Sequence, residues 1–222
     1  MSDYLLDLGQ NPTARKVVKS LGLPIPIPQT LRRADGPWRE RPLHGRDVLV
    51  GAGPGAELSD VLAVTLAAAG ANPCVLGDHG AMHAYVGPGE AYGRPPRAVT
   101  GGEDSQQVRP SAIVFDATGL ETPASLRALF DAFRPWLRAL KRSGRVVVLG
   151  RPEAEASSPA VASTRAALEG FIRSLAKEIG RGGSTAQLVT VARGADTRLG
   201  PILRFLLSDR SAFVTGQVWR VT

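Results

Sequence analysis

The feature that most constrains this chain is the alternation, from Arg46 onward, of short apolar runs with amphipathic helical patterns. Such runs are typical of buried parallel strands, and the patterns between them are typical of the helices that connect those strands. Strands are predicted at 47–50, 73–76, 112–115, 145–149, 187–191 and 217–221, and helices at 56–69, 123–141, 159–179 and 198–207. The sequence therefore predicts an α/β fold built on a doubly wound parallel sheet.

The segment 77–110 interrupts this alternation. It is rich in glycine and proline, has few apolar residues, and contains no helical pattern long enough to connect two parallel strands. A complete doubly wound domain would place a helix and a strand there. We therefore expect this part of the fold to be eroded or opened into a loop.

Residues 1–45 are predicted to form an arm that precedes the domain at 46–222. A short helix is expected at 12–21, where Asn11 and Pro12 resemble a helix start and Gly22 a stop. The alternating Pro and Ile residues at 24–28 must be extended, because each proline restricts its own backbone and that of its predecessor. We expect this proline-rich strap to lie along the surface of the domain.

The predicted helix at 123–141 has one apolar stripe at three- and four-residue spacing. The stripe consists of Leu126, Leu129, Phe130, Phe133, Leu137 and Leu140. Beside it, at roughly helical spacing, are Arg127, Arg134, Arg138, Lys141 and Arg145. This basic ridge is either a solvated face or a docking surface for an acidic carrier protein, where charges would mainly raise the rate of association.

The net charge of +7 allows an acidic partner such as nucleic acid, a carrier protein or a membrane surface. The basic residues are spread along the chain without a dense run, so nucleic acid is not expected. Cys74 is the only cysteine, which excludes an internal disulfide and favours a reducing compartment. No apolar run approaches the length of a membrane span and the first residues do not resemble a signal peptide, so a cytoplasmic location is expected.

A glycine-rich turn follows the first predicted strand and precedes a helix, in the segment Gly51-Ala52-Gly53-Pro54-Gly55. In this context glycines let the backbone approach a pyrophosphate at the start of a helix. However, Glu57 would repel a phosphate, and Pro54 removes one backbone donor. Gly51, Gly53 and Gly55 are therefore candidate cofactor-binding residues, and the alternative is a tight structural turn that binds no nucleotide.

Two further groups of residues have both a functional and a structural interpretation. Asp116 ends a predicted strand, where it would either bind a ribose or cap the following turn. Asp78, His79 and His83, with Cys74 upstream, have the residue types of a metal site. A shared metal would require His79 and His83 to lie on one helix, and Gly77 and Gly80 argue against that helix, so a polar loop is preferred.

Several segments resemble short-chain dehydrogenases. The stretch 163–182, which contains "AALEGFIRSLAKE", resembles the active-site helix of that family, and "FLLSDRSAFVTGQVWRV" resembles its C-terminal helix and strand. Gly51 and Gly55 match the first two glycines of the family's Gly-x-x-x-Gly-x-Gly turn, with Glu57 in place of the third. The resemblance implies a Rossmann-like fold and, in an intact member, the use of NADH or NADPH.

This sequence departs from the family at each of the positions that would carry the Ser-Tyr-Lys chemistry. Those positions are occupied by Gly150, Val161 and Arg165, and the sequence contains no Tyr-x-x-x-Lys pair. The order of the segments is more specifically similar to the N-terminal domain of high-molecular-weight 3-oxoacyl-acyl carrier protein reductases. That resemblance implies a degenerate, flavodoxin-like or Rossmann-like support domain without catalytic residues, expected to bind no cofactor.

Three hypotheses follow from these departures. The first is a non-catalytic support or docking module. The second is an NAD(P)H-dependent oxidoreductase with a rearranged site, in which Arg165 holds the cofactor ribose and Tyr85 or Tyr92 acts as the acid. The third is a domain that binds a dinucleotide without reacting with it.

The resemblance also implies partners. These are a catalytic ketoreductase domain or subunit, an acyl carrier protein bound through Arg127, Arg134 and Arg138, and a second copy of the chain. In the family, the two long helices matching 123–141 and 159–179 usually build the subunit interface, so a homodimer is expected.

Overall fold

The computed structural model describes residues 11–21, 31–77, 79–101 and 103–222. One parallel sheet of seven strands organises the domain, in the order β3-β2-β1-β4-β5-β6-β7. The strands are β1 Asp47–Ala52, β2 Asn72–Leu76, β3 Arg97–Val99, β4 Ala112–Asp116, β5 Arg145–Gly150, β6 Thr185–Val191 and β7 Val218–Val221. The order reverses between β1 and β4, which is the arrangement of a doubly wound Rossmann-like sheet.

Helices cover both faces of the sheet. The helices of the described residues are α1 Pro12–Ser20, α2 Ser59–Ala68, α3 His79–Ala91, α4 Asp104–Gln107, α5 Arg127–Trp136, α6 Pro159–Gly180 and α7 Leu199–Leu206. The α/β fold and most element positions predicted from the apolar pattern are confirmed. Because every parallel strand connection must cross over the sheet, each long helix buries one apolar face against it.

Successive side chains of each strand point to opposite faces of the sheet and pack into two separate cores. Val48 and Val50 of β1 pack with α2, α3 and α7 on one side, whereas Leu49 faces α5 and α6 on the other. The buried strands are apolar on both faces, which explains their nearly continuous runs of valine, isoleucine and leucine. This packing holds the carboxyl ends of β1, β4 and β5 rigidly beside one another.

The expectation of an open loop at 77–110 was wrong. Helix α3 and strand β3 complete the sheet there, and α3 contains Pro88 in its interior. Tyr85 is buried in the core that α2, α3 and α7 form on one face of the sheet, here called the first core. This burial stabilises α3 despite its glycines and proline. Gly89 lets the backbone of Arg94 approach closely, since a β-carbon at Gly89 would lie 2.7 Å from the Arg94 carbonyl oxygen.

Two predictions for the segment after Thr122 need correction. The helix expected at 123–141 begins as a 3-10 turn at Pro123–Leu126 and ends at Trp136. Thr122 caps the turn by accepting from the Ser125 amide at 3.2 Å. Arg145 does not extend the basic ridge. It lies in β5, fully buried, and donates to the carbonyl oxygens of Ser143 and Ser208.

The described part of the arm consists of α1, close to its predicted range, and a segment from Leu31 that joins the domain. Leu43 donates its amide to the carbonyl of Ala69 at 3.0 Å, and Gly45 donates to Gly70 at 3.0 Å. These bonds fix the segment to the end of α2. The proline-rich strap at 24–28 lies outside the described residues.

Candidate functional site

The predicted cofactor residues come together at one place, the carboxyl ends of β1 and β4. This is the point where the strand order reverses, and ligands of open α/β sheets bind in the crevice found there. Gly51 lies within β1, Gly53 and Gly55 follow it, and Asp116 ends β4. The candidate residues named from the sequence therefore lie close to one another at this edge of the sheet.

The glycine turn is packed against the chain itself. A β-carbon at Gly53 would lie 2.6 Å from Leu120 Cδ2, and one at Gly51 would lie 2.9 Å from the Phe115 ring. Gly55 has a positive φ of 71° and touches Gly119, where a β-carbon would lie 2.2 Å from the Gly55 carbonyl carbon. The close approach that glycines permit is thus used by the loop at 117–120, which occupies the space beside the turn.

Asp116 caps the start of α2. Its buried carboxylate accepts from the amide of Leu58 at 2.8 Å, and from the amide and hydroxyl of Thr118 at 3.0 and 2.6 Å. The Thr118 hydroxyl oxygen in turn accepts from the amide of Glu57 at 2.9 Å. The amides of Glu57 and Leu58, the two residues just before α2, are therefore satisfied by groups of the chain. Of the two interpretations of Asp116, this geometry supports the turn cap.

Glu57 is held by two arginines across the crevice. Arg151, which follows β5 and is 3% exposed, donates to Glu57 Oε2 from Nε at 2.9 Å and from Nη2 at 2.6 Å. Arg193 donates to Glu57 Oε1 at 3.3 Å. Burial alone would raise the pKa of the Glu57 carboxyl, but these hydrogen bonds and charges outweigh it and hold the pKa below its ordinary value.

Arg151 links three elements of the crevice. Besides Glu57 it contacts Asp196 Oδ1 through Nη1 at 2.7 Å, and the same nitrogen donates to the carbonyl of Val191 at 3.0 Å. Sequence reasoning did not pair Arg151 with Glu57. The available signal was a carboxylate and an arginine that each closely follow the carboxyl end of a strand, since such positions meet at one edge of the sheet.

The positions of the family's catalytic residues also lie at this edge, without their chemistry. A β-carbon at Gly150 would lie 2.8 Å from Leu168 Cδ1, so a glycine there lets α6 pack closely on β5. Val161 and Arg165 are buried one turn apart on α6. Arg165 donates to the carbonyl of Pro152 at 2.9 Å and lies 3.6 Å from Glu121 Oε1. None of the three supplies a proton near neutral pH.

Neither tyrosine proposed as an acid for a rearranged site is suited to that role. Tyr85 is 3% exposed within the first core, and its pKa is raised by burial and then by the charges of Asp116 and Asp60. Tyr92 stacks with Arg41, its ring centroid 6.0 Å from the guanidinium carbon. Its neighbour Arg94 contacts Asn72, the first residue of β2, which places Tyr92 at the edge where the strands begin.

The residues of the candidate metal site do not assemble in the described part of the chain. Contrary to expectation, His79 and His83 do lie on one helix, α3, despite the flanking glycines. His83 is exposed and Cys74 is buried in β2, while Asp78 lies outside the described residues. Among the described residues no group of three or more His, Cys, Asp or Glu side chains is arranged to hold a metal ion.

None of the helices in the described ranges combines the length and apolarity required to span a bilayer.

No protein-family model matches the sequence, and no curated protein matches it. Solved structures do match. A short-chain dehydrogenase/reductase from Serratia marcescens BCRC 10948 has a TM-score of 0.68 at 15% identity, covering 81% of this chain and 97% of the other. A dehydrogenase/reductase from Sinorhizobium meliloti 1021 has a TM-score of 0.66 at 20% identity, covering 82% and 95%.

A third structure, described as a short-chain dehydrogenase from Escherichia coli CFT073, has a TM-score of 0.67 at 19% identity and covers 84% of this chain and 100% of the other. At these identities the likeness establishes the fold. The chain therefore has the Rossmann-like fold seen in short-chain dehydrogenase/reductase structures, over nearly the whole length of those structures.

Proposed function

We propose that this chain is a non-catalytic, Rossmann-like support domain that associates with a 3-oxoacyl-acyl carrier protein reductase. The observation that carries the proposal is the closure of the crevice by the chain's own groups. Asp116 and Thr118 take up the amides at the start of α2, and Glu57 is fixed there by Arg151. The order of the sequence segments supports the association with a ketoreductase.

Binding of a dinucleotide would have to overcome this closure. A pyrophosphate at the start of α2 would compete with the Asp116 carboxylate for the Leu58 amide and would lie beside the negative charge of Glu57. Displacing Glu57 would leave the buried guanidinium of Arg151 without one of its two carboxylates. Because Glu57 is about one-third exposed, this loss lies below the roughly 3–5 kcal/mol that removing one partner of a fully buried ion pair costs, but it still opposes binding of the ligand.

Catalysis would also lack an acid. Carbonyl reduction requires a proton donor beside the substrate as hydride arrives. The corresponding positions carry Gly150, Val161 and Arg165, and Tyr85 is held protonated by its burial. These features support the non-catalytic hypothesis over the rearranged oxidoreductase.

The proposal is tested by calorimetric titration of the chain with NADH and with NADPH. We expect no saturable binding tighter than about 100 µM, which corresponds to roughly −5.5 kcal/mol. An active short-chain dehydrogenase titrated in the same buffer controls for the assay, and the Glu57→Gly variant tests the role of that carboxylate. Saturable binding by the unmodified chain would overturn the proposed closure and revive the oxidoreductase and ligand-sensor hypotheses.

The proposed association has its own test. The chain is mixed with a purified ketoreductase domain that carries the Ser-Tyr-Lys set, and the mixture is analysed by size-exclusion chromatography with light scattering. A stable complex is expected. If the two proteins elute separately at all concentrations up to tens of micromolar, the proposed association with a reductase is wrong. That outcome would not affect the conclusion of the cofactor titration.

A homodimer is proposed through α5 and α6. The two helices share an apolar groove of about 640 Å3, in which Phe130 is 49% exposed beside Phe171. Arg134 of α5, Arg138 just beyond the end of α5 and Glu178 of α6 lie along the same groove. A twofold axis would bring this patch onto its own copy, so that arginines of one chain could face the glutamate of the other.

We also propose that an acyl carrier protein docks through Arg127, Arg134 and Arg138. Arg127 pairs with Asp131 at 2.9 Å, and the guanidiniums of Arg127 and Arg134 lie 5.1 and 5.5 Å from the centroid of the Phe130 ring. One of the three charges is thus already neutralised. Arg134 and Arg138 pair with no carboxylate within the described ranges, and they would carry most of the attraction to an acidic carrier.

A further inference from the structure

A second basic surface lies where the arm meets α7, away from α5 and α6. Its aromatic centres are Trp38, 46% exposed, and Phe213, 68% exposed. Between the arm and the turn at Asp209–Ser211 lies a hollow of about 220 Å3. Both rings therefore offer apolar area that a partner could cover.

Arginines hold both aromatic rings in place. The guanidinium carbons of Arg204 and Arg210 lie 5.8 and 5.6 Å from the Trp38 ring centroid, and that of Arg33 lies 5.3 Å from the Phe213 centroid. Arg210 also donates to the carbonyl of Gly36 at 2.5 Å, and Arg204 donates to that of Glu40. The aromatic rings are therefore preorganised, which lowers the entropic cost of binding a partner.

The surface carries an excess of positive charge. Arg33, Arg39, Arg46 and Arg210 line the hollow, together with the carboxylates Asp35 and Asp209. Asp209 is already neutralised by Arg46 at 2.5 Å and by Arg32 at 3.1 Å. Within the described parts of the chain, Arg33 and Arg39 form no ion pair, so their charges remain available to a partner.

We propose that this arm–α7 surface docks the carboxylate-rich face of a partner protein. Exposed tryptophan flanked by arginine is the composition that dominates binding energy at protein interfaces. A nucleic acid fits less well, because guanidiniums already lie against the indole on which a base would stack. The inference does not depend on the proposed loss of catalysis.

The experiment measures binding by fluorescence anisotropy, using the full chain and two labelled probes. One probe is a 20-residue helical peptide of glutamate and alanine, and the other is a 20-nucleotide oligothymidine. We expect the peptide to bind more tightly than the oligonucleotide. The double variant Arg33→Glu/Arg39→Glu is expected to weaken peptide binding about tenfold or more, since charges directly opposed across an interface are strongly unfavourable.

A control variant carries the same change of charge elsewhere. Arg173→Glu/Arg220→Glu alters the hollow between α6 and β7, a surface to which no partner is assigned. This control should change peptide affinity no more than about twofold. An equal loss in the control, or tighter binding of the oligonucleotide through Arg33 and Arg39, would overturn the proposal. Thermal unfolding of each variant confirms that it remains folded.

Discussion

Arg151 is the residue on which the crevice depends. Its guanidinium is buried and touches Glu57 and Asp196, two carboxylates that are each about one-third exposed. It also donates to a backbone carbonyl of β6. The sequence singled out Glu57 in the glycine turn but not Arg151, because no local pattern pairs residues so far apart in the chain. That pairing is a property of the sheet, which brings the strand ends together.

Replacing Arg151 with methionine is expected to lower the free energy of unfolding by about 2–3 kcal/mol. The loss lies below that of a fully buried pair because both carboxylates retain some contact with water. The matched control is Arg173→Met, which removes the exposed partner of Glu169 and should cost at most about 0.5 kcal/mol. Urea denaturation at pH 7 measures both, and equal losses would contradict the assigned role of Arg151.

The ion pair between Glu57 and Arg151 should make the stability of the chain depend on pH. The pKa of Glu57 is lowered in the folded chain, so its ion pair contributes stability at pH values above the ordinary 4.5 and this contribution is lost as the pH falls through the folded-state value. The Arg151→Met variant should therefore lose less stability between pH 6 and pH 3 than the unmodified chain. If the free energy of unfolding falls equally with pH in the variant and in the unmodified chain, Arg151 does not set the Glu57 pKa.

At the scale of elements, α3 shows where prediction from sequence succeeded and where it failed. Most other elements were predicted because apolar spacing is a local property that each strand or helix carries by itself. Helix α3 has glycine and proline in its interior, and its formation depends on burying Tyr85 against distant strands. In such a segment tertiary packing overrides the low helix propensity of the residues. The only indication of α3 in the sequence was that two parallel strands need a crossover connection between them.

Replacing two glycines of α3 with alanine, one at a time, should change the stability of the chain in opposite directions. Nothing lies within 4 Å of a β-carbon at Gly87, so Gly87→Ala should stabilise the chain by about 0.5–1 kcal/mol through its higher helix propensity. Gly89→Ala should destabilise it by about 1–3 kcal/mol, because its β-carbon would clash with backbone at Arg94. Thermal and urea unfolding measure both changes. Stabilisation by both substitutions would contradict the close turn into β3.

On the scale of the whole molecule, the chain presents two faces of different character. The groove of α5 and α6 is apolar with charges along it, whereas the arm–α7 surface is basic and aromatic. Sequence periodicity identified the first through its apolar stripe. The second combines residues from the arm, α7 and the turn that follows it, so it could not be recognised before the chain was folded.

The homodimer prediction belongs to this scale. Phe130→Asp places a charge in the apolar groove and should weaken self-association by about 2–4 kcal/mol, enough to give a monomer at micromolar concentration. Phe213→Asp makes the same change on the arm–α7 surface and should leave the dimer intact. Light scattering with size-exclusion chromatography distinguishes these outcomes. A monomeric mass for the unmodified chain would remove the dimer proposal altogether.

The contact between Gly55 and Gly119 has a consequence for how this chain would behave in a cell. A dinucleotide-binding protein gains stability from its ligand in proportion to the logarithm of the ligand concentration. If the chain binds no dinucleotide, as proposed, it gains nothing in this way. Its melting temperature, its resistance to proteolysis and therefore its abundance would not follow the cell's supply of reduced cofactor, so the chain would stay folded equally well in starved and in growing cells.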